Sequence, residues 1–238
     1  MTDFNAYRRS LWHPAWQEVA AFTGSHFRPE WCHGDDRKIY AERELYPDTA
    51  TFYRETEVYL YHGVAFFLEG IKRPYYSAFM NLFANMDATV LDYGCGCGDD
   101  SMLFSSLGFN VSIADVPSQS LEFAKWRLMR RGHMCDVYEI GKDEIPEHMV
   151  VWCCDVLEHI PPDKQVEFIS NLHKLGQTTF IVLVNDPAAN GRVHHPVDFT
   201  KLTEHASTLA PVWFKDFYGG RTRLLIISEL VEILKTVS

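Results

Sequence analysis

Glycines stand at alternating positions, Gly94, Gly96 and Gly98, after the apolar pair Val90-Leu91 and the acidic Asp92. A second acidic pair, Asp99-Asp100, follows, and then Met102, Leu103, Phe104 and Leu107 at helical spacing. The order is that of a buried strand, a tight turn and a helix, and glycine is what allows backbone in such a turn to approach a small ligand. A dinucleotide fingerprint would place its third glycine at position 99, which is Asp. Two carboxylates at the positive end of a helix disfavour a pyrophosphate and suit a cationic ligand.

Further residues of chemical type fall at fitting distances. Asp115 comes 23 positions after Asp92 (115 − 92), at the tip of a second apolar segment. A carboxylate there, beside Val116, can accept both ribose hydroxyls of an adenosine ligand. The run Cys154-Asp155-Val156-Leu157-Glu158-His159-Ile160-Pro161 begins with its Asp 63 positions after Asp92 (155 − 92) and follows another apolar segment. His159 is a candidate general base, and His194 and His195 are a second choice.

Asp92-Tyr93-Gly94-Cys95-Gly96-Cys97-Gly98 resembles motif I, D/E-x-G-x-G-x-G, of the class I S-adenosylmethionine-dependent methyltransferases. The run from Asp115 to Lys125 is similar to their D-x-S-x-x-x-L-x-x-A-K segment, with Pro117 and Ser118 exchanged relative to the commoner order. Residues 155–161 look like the D-V-L-E-H-I-P segment of the small-molecule members, including the ubiquinone-pathway type. The resemblance covers roughly residues 89–228. It implies S-adenosylmethionine as cofactor, with Asp92, Gly94, Cys95, Gly96 and Gly98 shaping the methionine end. Asp115 and Val116 would hold the adenosine, and Cys154 and Asp155 would line the reactive end. It also implies methyl transfer to oxygen or nitrogen of a small molecule, with His159 or His195 as base. A peptide, protein or tRNA methyltransferase on the same core is the alternative; a non-catalytic cofactor-binding partner and a nicotinamide oxidoreductase are rivals from other classes.

Asp155, Glu158 and His159 also match a pattern that binds a divalent metal in the ubiquinone-pathway enzymes, but the segment reads more simply as cofactor loop and helix cap, so no resident metal is expected. Cys95, Cys97, Cys153 and Cys154 would approach one another if strands one and four are neighbours, which would allow a thiolate cluster; small buried fillers are the simpler reading.

The elements that must position these groups follow from periodicity. Residues 1–88 are helical in pattern, divided by Pro14, Pro29, Pro47 and Pro74. Tyr75, Phe79, Leu82, Phe83 and Met86 form one helical stripe, and a preceding helix is expected over 55–69. Packing on the core is the simple role for this segment; Tyr53, Tyr59, Tyr61 and His62 could also close over the site as a lid. From residue 89, strands are expected at 89–93, 110–115, 136–140, 149–153 and 179–184, alternating with helices, then an antiparallel pair at 212–218 and 222–228. The expectation is an α/β, Rossmann-like, doubly wound, mostly parallel seven-stranded sheet at 89–238 with a C-terminal antiparallel hairpin and an N-terminal helical lid at 1–88.

With 238 residues, 47% hydrophobic and 23% charged, the chain is long enough for a large buried core. A net charge of −10 argues against bulk nucleic acid as partner. Lys125, Arg127, Arg130 and Arg131 read as a solvated helix face. No apolar run has transmembrane length, the opening MTDFNAYRRSLWHPAW lacks a leader-type apolar stretch, and six cysteines do not read as a secreted disulfide framework. A cytoplasmic protein with a small-molecule acceptor is expected.

Overall fold

The computed structural model describes residues 13–32, 36–70, 72–83, 86–175, 180–185, 194–217 and 222–228. Among the described residues five helices come first: α1 (Pro14–Thr23), α2 (Asp36–Arg43), α3 (Thr49–Glu55), α4 (Val58–Glu69) and α5 (Arg73–Phe83). The alternating part then runs β1 (Thr89–Tyr93), α6 (Asp99–Ser106), β2 (Asn110–Asp115), α7 (Gln119–Arg130), β3 (Val137–Glu139), β4 (Val150–Cys154), α8 (Gln165–His173) and β5 (Phe180–Asn185). It closes with α9 (Phe199–Leu209), β6 (Val212–Phe217) and β7 (Thr222–Ile227).

The strands lie in the order β3-β2-β1-β4-β5-β7-β6. β3, β2, β1 and β4 are mutually parallel, and β6 and β7 form an antiparallel hairpin. Successive side chains alternate across the sheet, and the burial follows that alternation. Val90, Val150, Trp152 and Cys154 join one buried cluster with Tyr75, Phe79 and Phe83 of α5, Phe104 of α6 and Leu121 and Leu128 of α7. Leu91, Val151 and Cys153 join the other, with Ile169 and Leu172 of α8 and Leu202 and Ala206 of α9. Helices therefore cover both faces, as a doubly wound sheet requires.

The helices start where their caps allow. Ser118 accepts from Leu121 N–H at the head of α7 and Asp48 accepts from Thr51 N–H at the head of α3, each occupying a donor that the first turn cannot. The expected helix over 55–69 is interrupted: α3 ends at Glu55, and the Thr56 hydroxyl accepts from Val58 N–H, so α4 begins afresh. α5 carries the predicted stripe, but Met86 lies past its end and packs on the same cluster from outside. Strand ends fall within one or two residues of expectation.

One expectation fails plainly. Arg127 is not on a solvated face; only 3% of it is exposed. It donates to Asp99 and Glu18 and to the Cys97 carbonyl, because α1 packs on α7 and brings Glu18 down over it. Among the described residues, no helix is long and apolar enough to cross a membrane.

Candidate active site

The glycine turn leaves β1 with all three glycines at positive φ: 76° at Gly94, 52° at Gly96 and 72° at Gly98. Their reasons differ. A Cβ on Gly94 would fall 2.4 Å from Val156 Cγ2, and one on Gly98 would fall 2.8 Å from Ala124 Cβ. These two let the loop after β4 and helix α7 pack against the turn. A Cβ on Gly96 would meet nothing within 4 Å; beside it the backbone borders open space. Asp115, at the end of β2, accepts from Gly96 N–H at 2.6 Å and from Val116 N–H at 2.7 Å. Burial pushes its carboxyl up to about 6 against the pull of those two bonds.

That open space is a cavity of about 410 Å³, within the usual range for small-molecule sites. One wall is Gly94 to Cys97 with Asp99, Asp100, Cys154 and Asp155; the opposite wall is helical, with Tyr53, Tyr59, His62, Phe66 and Lys72; Glu158, His159 and His194 form one end. On α4, positions 59, 62, 63 and 66 fall on one face, and Gly63 lets that face approach, since a Cβ there would lie 2.8 Å from Cys97 Sγ. Tyr61 points the other way. It is buried, accepts from Arg28 N–H and packs edge-on against Trp31, so it does not line the cavity.

The acidic pair at the head of α6 is neutralised from within. Asp99 pairs with Arg127 at 2.5 Å. Asp100 accepts from Lys72 at 3.2 Å, from the Tyr76 hydroxyl at 2.6 Å and from Trp152 Nε1 at 2.7 Å. Lys72 also lies 3.6 Å from Asp155. Burial works against the lysine's charge, but Asp100, Cys154 and Asp155 outweigh it and hold its pKa well above the ordinary value. The free carboxylates expected to repel a phosphate are therefore compensated, because buried charge is stable only when paired. Asp155 is the one described non-glycine residue at positive φ, 55°, and burial raises its carboxyl. Asp92 stands behind the turn, bonded to the Ser101 hydroxyl and off the cavity; burial, then Asp100, pushes it up to about 8.

Sequence-selected residues thus divide. Gly94, Cys95, Gly96, Cys154, Asp155 and His159 line the cavity. Asp92 and Gly98 support the turn from behind, and Asp115 and Val116 meet it through the Gly96 contact. His194 lines the cavity, whereas His195 does not; its backbone N–H donates to the Glu158 carbonyl. Most of the segment before His194, residues 186–193, lies outside the described residues. The ligand atoms of Glu158, His159 and His194 lie within 4.8 Å of one another, and Asp155 is not in that set. The four cysteines do not gather: Cys153 faces one side of the sheet, Cys95 and Cys154 the other, and Cys97 joins the α1–α4 packing. Burial raises all four thiols.

Lys72, Tyr53 and His194 were missed or undervalued by sequence reasoning. A balance of charge could have found Lys72, since buried carboxylates after a glycine turn need a cation from somewhere. Tyr53 is named by the sequence only as a possible lid residue, and nothing local marks its contact with His159.

Residues 90–177 match the family model described as a methyltransferase domain. The ubiquinone biosynthesis O-methyltransferase of Paraburkholderia phytofirmans is 35% identical over 103 residues, 41% of this chain and 44% of that protein. That of Nitrosomonas europaea is 31% identical over 105 residues, 42% of this chain and 45% of that protein. The chain thus spans less than half the length of these curated relatives. An O-methyltransferase family protein from Burkholderia thailandensis has the same fold over 94% of this chain and 70% of its own, with a TM-score of 0.58 at 15% identity. An S-adenosylmethionine-dependent methyltransferase from Aquifex aeolicus aligns over 64% of this chain and 88% of its own, with a TM-score of 0.51 at 13% identity. Residues 90–177 thus match a methyltransferase domain, on a sheet that shares its fold with these solved structures.

Proposed function

We propose that this chain binds S-adenosylmethionine and catalyses its use in methylating an oxygen of a small molecule. The observation that carries the reading is the single cavity joining the Gly94–Gly96 turn to a histidine end. The residues present fit the cofactor. Gly96 leaves room where a Cβ would intrude, Asp115 is anionic above about pH 6 for the ribose hydroxyls, and Asp100 and Asp155 suit the cationic end while Lys72 suits its carboxylate. When bound, the cofactor supplies an electrophilic methyl group. The chain's own part is positioning and proton handling. Gly94, Cys95, Gly96, Cys154 and Asp155 orient the cofactor, with Asp92 and Gly98 holding the turn and Asp115 and Val116 the adenosine side. His159, at the far end, takes the acceptor's proton, and His194, in place of the sequence candidate His195, stands beside it.

Residues 89–238 act as the catalytic core in this reading, and helices α2–α4 act as a lid that keeps bulk water from the cavity. An aromatic-walled cavity and an acidic chain favour a small acceptor over RNA, and a cytoplasmic setting agrees with the free thiols.

The test is calorimetric titration with S-adenosylmethionine, S-adenosylhomocysteine and NADH, on the wild type and Asp115→Ala. Micromolar binding of both sulfur compounds, weakened at least 100-fold (about 2.7 kcal/mol) by the substitution and absent for NADH, is expected. A folded protein that binds neither sulfur compound would sink the reading. An acceptor screen with phenols and catechols then follows by homocysteine-coupled turnover.

A further inference from the structure

His159 is walled by three rings from three segments. Tyr53 of α3 has its ring centroid at 4.6 Å, Tyr59 of α4 at 6.4 Å and His194 at 4.9 Å. Tyr53 is itself held edge-on between Phe52, which is fully buried, and Tyr59. One of these contacts is directional: Tyr53 Oη lies 2.7 Å from His159 Nδ1. Burial, with Tyr59 and Glu158 near, keeps the phenol protonated far above neutral pH. A neutral hydroxyl has one proton and two lone pairs, so it can accept from an imidazole N–H as readily as it donates to a bare ring nitrogen.

We propose that Tyr53 is a positioning residue that accepts a hydrogen bond from Nδ1–H of His159 and so keeps the ring's lone pair on Nε2, facing the acceptor side. The inference rests on His159 being the base in the reading above. A base that takes the acceptor's proton at Nε2 breaks the acceptor O–H bond, forms an N–H bond and becomes an imidazolium with protons on both nitrogens. Its Nδ1–H then needs an acceptor in a place partly shielded from water. The Tyr53 oxygen supplies it before and after the transfer, with no change in geometry. Tyr53 stands 106 positions ahead of His159 and outside residues 90–177. The proton-handling end of the site is therefore completed by a segment that the methyltransferase domain does not contain.

The full chain, labelled with 15N-histidine and saturated with S-adenosylhomocysteine, tests this by one- and two-bond 1H–15N correlation spectra. His159→Gln identifies the His159 signals. The wild type should show His159 with a protonated Nδ1 and a bare Nε2. In Tyr53→Phe the ring should move to the Nε2–H tautomer while the dissociation constant for S-adenosylhomocysteine stays unchanged. An Nε2–H tautomer in the wild type, or the same tautomer in wild type and Tyr53→Phe, would overturn the proposal. In turnover, Tyr53→Phe should lower kcat and leave KM for S-adenosylmethionine alone. Full turnover by His159→Gln would instead overturn His159 as base and leave the tautomer result standing.

Discussion

The two walls of the cavity are built on different principles. The glycine-turn wall takes its shape from backbone: positive φ at three glycines turns the chain, and Asp115 braces the turn by accepting from Gly96 and Val116 N–H. The helical wall is side chain, with rings from α3 and α4 and one lysine. A backbone wall requires particular residues at fixed spacing, because only glycine tolerates those conformations and contacts. A side-chain wall requires only that some residue of the right size or charge arrive there, and many sequences satisfy that. The first wall is consequently a motif; the second is not.

The sharpest way to break the comparison is to add a Cβ to the backbone wall. Gly94→Ala places a methyl into Val156 at 2.4 Å and forces a left-handed φ on an L-residue. Overpacking and the conformational cost together should destabilise the chain by roughly 3–5 kcal/mol. A fall in the denaturation midpoint, with loss of S-adenosylhomocysteine binding by what remains folded, is the expected result. No loss of stability would mean the turn is not held as described.

The next effect tests the charge that ties the walls together. Lys72→Met leaves Asp100 and Asp155 without their shared cation and should cost about 3 kcal/mol, less than a fully buried pair because the lysine is 16% exposed. Chemical denaturation reads it, and adding Asp100→Asn should recover part of the loss. A double variant no better than the single one would show that Lys72 acts by packing alone.

The smallest effect concerns Asp115, and here two signs can be set against each other. Its folded pKa, about 6, lies above the ordinary carboxylate value. In the proposed reading ionised Asp115 binds the ribose hydroxyls, so cofactor affinity should fall on acidification below pH 6, by no more than about tenfold per pH unit. Stability without cofactor runs the other way. A carboxyl that protonates more easily when folded contributes stability at low pH that is lost as pH rises through about 6. Asp115→Asn should remove both slopes, which titration calorimetry and thermal melts at pH 5 to 8 would reveal.

Much of the sheet could be read from the chain because its signals are local. Apolar runs such as Val90-Leu91, the Ser118 cap and the glycine spacing each act within a few residues. Arg127 was misread for the opposite reason. An arginine on a helix looks solvated until α1 folds over it, and no local pattern announces Glu18 from 109 positions away. Tyr61 and His195 lie off the cavity for a similar reason. Each neighbours a residue that does reach the cavity, and helical phase or loop path decides between them.

By itself, then, the sequence determined the order of strands and helices, the turn, and the acidic residue at the end of β2, since steric and solvation preferences of single residues dictate these. Only the tertiary structure decided which charges neutralise Asp99 and Asp100, which histidine lines the cavity, and that Tyr53 meets His159. Those are pairings across long stretches of chain, and they exist only once packing has placed the two partners side by side.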